Sequence, residues 1–144
     1  MAVAQTVEQA LKSARLYSDG VTYQVVQLPA AAITVAAGIL AEIGEPFGAL
    51  IADKDEVTLV LPGNALPDFE RRLRDYCASA SPYRLITFDV VLEPSLVGFL
   101  AHVSAALAQA GIPILPYAAF SRDHLLVPAD QYDAAVAALN RLRA

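Results

Sequence analysis

The chain has 144 residues, 56% of them hydrophobic and 17% charged, with a formal net charge of −5. That length suits one compact domain or two small ones sharing a core. The acidic balance speaks against nucleic acid as a main partner, because phosphate neutralisation needs a basic face; a single cysteine, Cys77, excludes both an intrachain disulfide and a thiolate zinc site.

In chain order, Thr6 to Leu16 is predicted as a short helix with Val7, Ala10, Leu11 and Ala14 on one side. Ser18-Asp19-Gly20 breaks it. VTYQVVQL then alternates as a strand closed by Pro29, and the alanine-rich segment from Ala30 to Gly44 is predicted as a helix. The apolar run from Leu28 to Ile43 is too short to span a membrane and is broken at Glu42. The start, MAVAQTVEQALKSA, lacks the basic opening and long apolar centre of a secretory signal. A soluble, cytoplasmic protein with no membrane partner is therefore expected.

PFGALIA is predicted as a strand, Asp53-Lys54-Asp55 as a tight turn, and EVTLVLP as the return strand. A helix is predicted from Pro67 to Ala78. Its basic residues Arg71, Arg72 and Arg74 are interleaved with Asp68, Glu70 and Asp75, which reads as a solvated face with intrahelical ion pairs. Cys77, near its end, reads as a small core residue. Ser79-Ala80-Ser81-Pro82 is the connector.

After Tyr83, Ile86, Phe88, Val90 and Leu92 alternate along a strand that Glu93-Pro94 ends. Ser95 is expected as the N-cap of a helix whose apolar stripe is Leu96, Phe99, Leu100, Val103 and Leu107, stopped by Gly111. A strand from Ile112 to Phe120, a turn at Ser121-Arg122-Asp123 and a strand from His124 to Val127 follow. The last helix, capped by Asp130, has Tyr132, Ala135, Val136, Leu139 and Leu142 on its apolar side. Both halves thus read strand, helix, strand, turn, strand, helix, with a period of about 60 to 65 residues, longer than solenoid repeats, and the hairpins LIADKDEVTLVLP and AAFSRDHLLVP line up. The expected fold is α+β: two ferredoxin-like βαββα halves, antiparallel sheets with helices on one face, over residues 1–80 (with the N-terminal helix) and 83–144. Each half is one strand short of a full unit, so shared edges and a homodimer are expected.

The strand–loop–helix FDVVLEPSLVGFLAHVSAAL, the hairpin AAFSRDHLLVP and the first-half piece ALIADKDEVTLVLP together resemble tandem ACT domains, small-ligand regulatory modules, and most closely ACT-like proteins related to amino-acid sensors of the CASTOR type. Ser95 stands where many ACT domains carry glycine. The resemblance implies a ligand held at an interface between neighbouring domains.

No GxSxG, HExxH or Walker loop is present, and GNALP is too short to cradle phosphate. No catalytic residue, metal ligand or cofactor is therefore assigned. His102 reads as a surface residue, while His124 makes a local hydrogen bond or marks a ligand rim. The better physical basis is for binding. A helix opening at Ser95-Leu96-Val97-Gly98 presents amides without intrahelical acceptors, which suit the carboxylate of a free amino acid. Glu93 or Asp123 offers a counter-charge for its ammonium. Ala119, Phe120 and Ser121 line the far side, with Phe120 over the apolar part. The leading reading is a non-catalytic regulatory protein sensing an amino acid or similar zwitterion; the alternative is a ferredoxin-like homo-oligomeric assembly module without a small ligand.

Overall fold

The computed structural model describes residues 4–44 and 47–144; the predicted strand start at Pro46 lies outside them. The elements follow the apolar periods: α1 (Val7–Ser13), β1 (Arg15–Tyr17), β2 (Thr22–Pro29), α2 (Ile33–Ile43), β3 (Ala49–Ala52), β4 (Glu56–Pro62), α3 (Leu66–Phe69), β5 (Cys77–Ala78), β6 (Tyr83–Asp89), α4 (Phe99–Gln109), β7 (Leu115–Ala118), β8 (Asp123–Pro128) and α5 (Tyr132–Arg143). They fall into two compact units. One is Val21–Tyr83; the other joins the residues up to Gly20 to Arg84–Ala144. Each is an α+β, ferredoxin-like arrangement with antiparallel strands.

In the Val21–Tyr83 unit, β4 lies between β3 and β2, with Leu59 opposite both Leu50 and Val26. The alternation of β4 turns Val57, Leu59 and Leu61 inward, where they join Val26, Leu28, Ala36 and Ile39 in one apolar cluster. Fully burying side chains of this size is worth about 1.5–3 kcal/mol each. Asp53 closes the β3–β4 hairpin through Oδ1, which accepts from the Asp55 and Glu56 amides.

The predicted helix from Pro67 to Ala78 is a single α-turn, α3, followed by a 3₁₀ turn at Glu70–Arg72. Asp75 then adopts φ 57°, which no helix continues. The chain re-emerges as β5, pairing Ala78 with Val26 and Cys77 with Gln27. The expected intrahelical ion pairing also gives way, since Arg72 reaches Glu42 of α2 at 2.8 Å. Cys77 is exposed rather than in the core.

In the other unit β8 lies between β7 and β6, with Leu115 opposite Leu126. Ile86, Phe88, Leu125 and Val127 from one sheet face meet Phe99, Val103 and Leu107 of α4 and Ala135, Ala138 and Leu139 of α5. The stop of α4 is a Schellman motif. Gly111, at φ 74°, donates to Ala108 O at 3.0 Å and Ile112 donates to Leu107 O at 2.9 Å, while both Ile112 and Leu107 are buried.

The N-terminal segment differs most from expectation. The helix predicted to Leu16 ends at Ser13, and Arg15–Tyr17 forms β1, with Leu16 opposite Phe88. Thr6 caps α1 in a reciprocal box with Gln9. At its other end, Arg143 of α5 donates to Leu11 O and Ala14 O. Val7, Ala10, Leu11 and Ala14 complete the cluster built by residues 86–139. The expectation that each half lacks a fourth strand is thus corrected: β5 supplies one in the first unit and β1 in the second. Segments of two and three residues carry too little period to be read as strands.

Three of the four strand-to-helix corners share one design. Pro29, Pro62 and Pro128 end β2, β4 and β8 at φ between −57° and −53°, and each feeds a three-residue 3₁₀ turn. Proline ends the ladder because it has no amide to donate, and its fixed φ directs the chain over the sheet. Asp130 lies in the third of these turns, and Gln131, not Asp130, precedes α5 with no side-chain cap. The fourth corner, Val90–Gly98 between β6 and α4, is an open loop.

Candidate functional site

That open loop begins with a γ-turn at Asp89, where the Val90 amide donates to Phe88 O at 2.8 Å. It ends at Gly98, which precedes α4 with φ 95°. The expected cap at Ser95 is therefore corrected. Pro94 and Ser95 form a turn closed by Leu96 N donating to Glu93 O at 2.9 Å, and α4 starts only at Phe99. Serine suits a turn as well as a cap, so residue type alone did not separate the two.

Between the loop, the first turn of α4 and the β7–β8 hairpin lies a cleft of about 400 Å³. Of the residues singled out from sequence, Glu93, Leu96, Gly98, Ala119, Phe120, Ser121 and Asp123 line it, whereas Ser95 and Val97 do not. Leu92, Pro94, Phe99, Leu100, Ala101, Ala118 and Arg122 line it too. The hairpin is closed by Ala119 N donating to Arg122 O, and it is stapled to the loop by Leu92 N donating to Ser121 O at 2.8 Å.

The amides of Phe99, Leu100 and Ala101 have no acceptor within α4, because the first intrahelical bond runs from His102 N to Gly98 O. The His102 ring donates to the same carbonyl at 2.7 Å, so Nδ1 carries a proton. The first turn of α4 thus sets three backbone donors, with the positive end of the helix dipole, at the cleft.

Charge at the cleft is mixed. Arg122 Nε donates to Asp89 Oδ1 at 3.0 Å, and Arg15 approaches Asp89 Oδ2 at 3.5 Å. Burial raises the Asp123 carboxyl above its usual range, with the neighbouring His124 opposing the shift. Burial lowers His124, against the pull of Asp123 and with a smaller push from Arg122. Its Nδ1 lies 2.8 Å from Thr87 Oγ1, a contact that gives the half-buried ring a polar neighbour. Phe120 is 96% exposed and Val97 86%; Val91 and Leu100 are also exposed large apolar residues of these segments. Among the described residues no cluster of His, Cys, Asp and Glu is arranged to hold a metal ion. No described helix is long and apolar enough to cross a membrane.

Arg122, Asp89 and Gln5 are among the polar residues the sequence did not single out for the site. A charge inside a hairpin triplet was a usable signal for Arg122. Nothing in the sequence marked Gln5, whose hydrogen bonds reach the loop from 86 to 88 positions away.

The site is thus a strand, an open loop and a helix start facing a hairpin. Residues 79–141 of the chain match the ACT domain family model. A search of curated protein sequences returns no significant match. Among solved structures, a Vibrio cholerae protein of unknown function, described as a possible transport protein, is similar at TM-score 0.75 and 24% identity, over 96% of this chain and 97% of that one. An Agobacterium tumefaciens protein is similar at TM-score 0.71 and 21% identity, over 90% and 89%. The regulatory subunit of aspartate kinase from Thermus flavus is similar at TM-score 0.69 and 16% identity, over 88% and 95%. At these identities the likeness establishes the fold.

Proposed function

We propose that the chain is a non-catalytic regulatory protein that binds a free amino acid or similar zwitterion in the cleft beside the start of α4. The observation that carries this reading is the convergence of three unpaired helix-start amides, the Asp123 and Glu93 carboxylates and the apolar Phe120 on one 400 Å³ cleft. In this reading the ligand carboxylate accepts from the amides of Phe99, Leu100 and Ala101. Its ammonium pairs with Asp123, with Glu93 at the rim, and its side chain lies under Phe120. Ser95 and Val97 act by shaping the loop. Similarity to an aspartate kinase regulatory subunit and the ACT match support regulation rather than turnover. A sensor of the CASTOR type, working as a cytoplasmic homodimer without cofactor, is the corresponding finer proposal. The exposed Val91, Val97, Leu100 and Phe120 support the dimer, since a second subunit seated there would cover both the apolar rim and the ligand.

The experiment is a thermal-shift screen with the standard L-amino acids at millimolar concentration, followed by calorimetry. One amino acid is expected to raise the melting temperature, because a ligand that binds only the native state stabilises it. Flat responses across the set would remove the proposal. The same exposed rim also favours a second reading, an assembly module without a small ligand. Concentration-dependent dimerisation that is indifferent to every amino acid would select it.

A further inference from the structure

We infer that Gln5 is a positioning residue for the cleft: it holds the Val91–Glu93 edge of the ligand loop in place from the far end of the chain. The inference rests on the binding reading above for its effect on affinity, but not for its structural content.

Gln5 lies beside the loop, within hydrogen-bond reach of Val91 and Glu93. Its side-chain Nε2 donates to Val91 O at 3.0 Å, and its Oε1 accepts from Glu93 N at 3.0 Å. Its own backbone amide points at Glu93 Oε2, at 3.4 Å. One side-chain amide thus uses its donor and its acceptor on two residues of a segment that no longer belongs to a ladder. The loop needs such a partner, because β6 ends at Asp89 and the backbone beyond it has left the sheet. Glu93 lines the cleft, and the next loop residue bonded to the hairpin, Leu92, lies between the two positions that Gln5 holds.

Gln5 is itself anchored. The next residue, Thr6, caps α1, and Val7, Ala10 and Leu11 are buried in the cluster that contains Phe99. Val7 also approaches the other end of the loop, lying within 3.9 Å of where a side chain on Gly98 would begin. The N-terminal segment therefore touches the open loop at both ends, and the Gln5 side-chain amide bonds to it through both its donor and its acceptor. Alanine at this position removes both side-chain bonds.

Amide hydrogen exchange on the ligand-free full chain tests the structural content directly. In Gln5→Ala the Glu93 amide loses its acceptor, and its exchange is expected to speed up roughly tenfold while the amides of α4 and α5 keep their rates. Unchanged exchange at Glu93 would overturn the inference whatever the ligand does. Thr6→Ala is the control, since it removes the α1 cap bond to Gln9 but leaves Gln5 in place. It is expected to lower the melting temperature without speeding exchange at Glu93. Equal loop exchange in Thr6→Ala and Gln5→Ala would show general loosening of the segment and sink the specific role. With whichever standard amino acid shifts the wild-type melting curve, Gln5→Ala is expected to bind about tenfold more weakly and Thr6→Ala as the wild type does. Local exchange that rises while affinity stays unchanged would refute the positioning role and leave the binding reading intact. If no amino acid shifts the wild type, the binding reading fails, and with it the effect on affinity.

Discussion

The two units solve the same geometric problem differently where their first strand meets their first helix. In one, β2 runs to Pro29 and turns at once through Ala30–Ala32 into α2. In the other, β6 stops at Asp89 and the chain wanders from Val90 to Gly98 before α4 begins. The proline corner passes straight into a turn made of three alanines. The open corner leaves a cleft, frees the first amides of α4 toward it, and surrounds it with charge and exposed apolar groups. The cleft comes from a nine-residue loop in place of an immediate turn off the strand, and that loop is held by hydrogen bonds from elsewhere in the chain.

The strongest way to break this contrast is through the rings that bracket the open corner. Phe88, fully buried, meets Phe99 edge-on at 5.2 Å. Phe88→Ala should cost about 3–5 kcal/mol in denaturant unfolding, as aromatic truncations in packed cores do. A loss below about 1 kcal/mol would mean that the corner is not anchored by this pair. Next in size, Asp123→Ala should weaken binding of the responsive amino acid by at least about tenfold, the expected loss for a hydrogen bond to a charged group. Arg122→Ala should do less, because that guanidinium is engaged by Asp89. Equal effects in calorimetry would move the ammonium site away from Asp123.

Gly98→Ala comes third. Its φ of 95° burdens any Cβ, although the neighbours a Cβ would meet stand at ordinary van der Waals distance, so a cost of about 1–2 kcal/mol is expected from backbone strain. Pro29→Ala in the closed corner should cost less than about 1 kcal/mol, since it only frees the unfolded chain. If the two substitutions cost the same in urea, the corners are not built differently. The smallest effect is in pH. Burial lowers His124 below its ordinary 6.5, so the stability its neutral ring contributes is fully present above 6.5 and lost as pH falls through the lowered value. His124→Gln should flatten the fall of melting temperature in that acidic window, and parallel curves for the two proteins would rule this out. Asp123 has the opposite sign. Its raised carboxyl favours the folded state at low pH, and that contribution is lost as pH climbs above 3.8 through the raised value. Binding through its carboxylate should strengthen over the same climb.

Much of this was legible in the sequence because the signals were local. Alternating Val57, Leu59 and Leu61 gave β4, Gly111 gave the end of α4, and Asp53 gave the hairpin turn. The cleft was legible in part, since Glu93-Pro94 marked the end of a strand and Ser121-Arg122-Asp123 a turn, but Ser95-Leu96-Val97-Gly98 read as the opening of the helix and Ala119-Phe120 as strand. What was not legible depended on distance or brevity. Ser95 looks the same in a turn as in a cap, and only the left-handed Gly98 decides where α4 starts. β1 and β5 are strands only because Phe88 and Val26 offer them partners. Gln5 carries no signal until the fold brings Glu93 beside it.

The membership of α1 and β1 in the C-terminal unit bears on how the chain is made. A ribosome releases these residues first, yet Val7, Ala10 and Leu11 bury themselves only against side chains from Ile86 to Leu139. The Val21–Tyr83 unit holds its own apolar cluster and can therefore fold while the opening segment waits in solution. A gene cut at the connector near Ser81 would yield a C-terminal fragment without its N-terminal helix and outer strand. That fragment should be insoluble unless a peptide spanning residues 4–20 is supplied in trans.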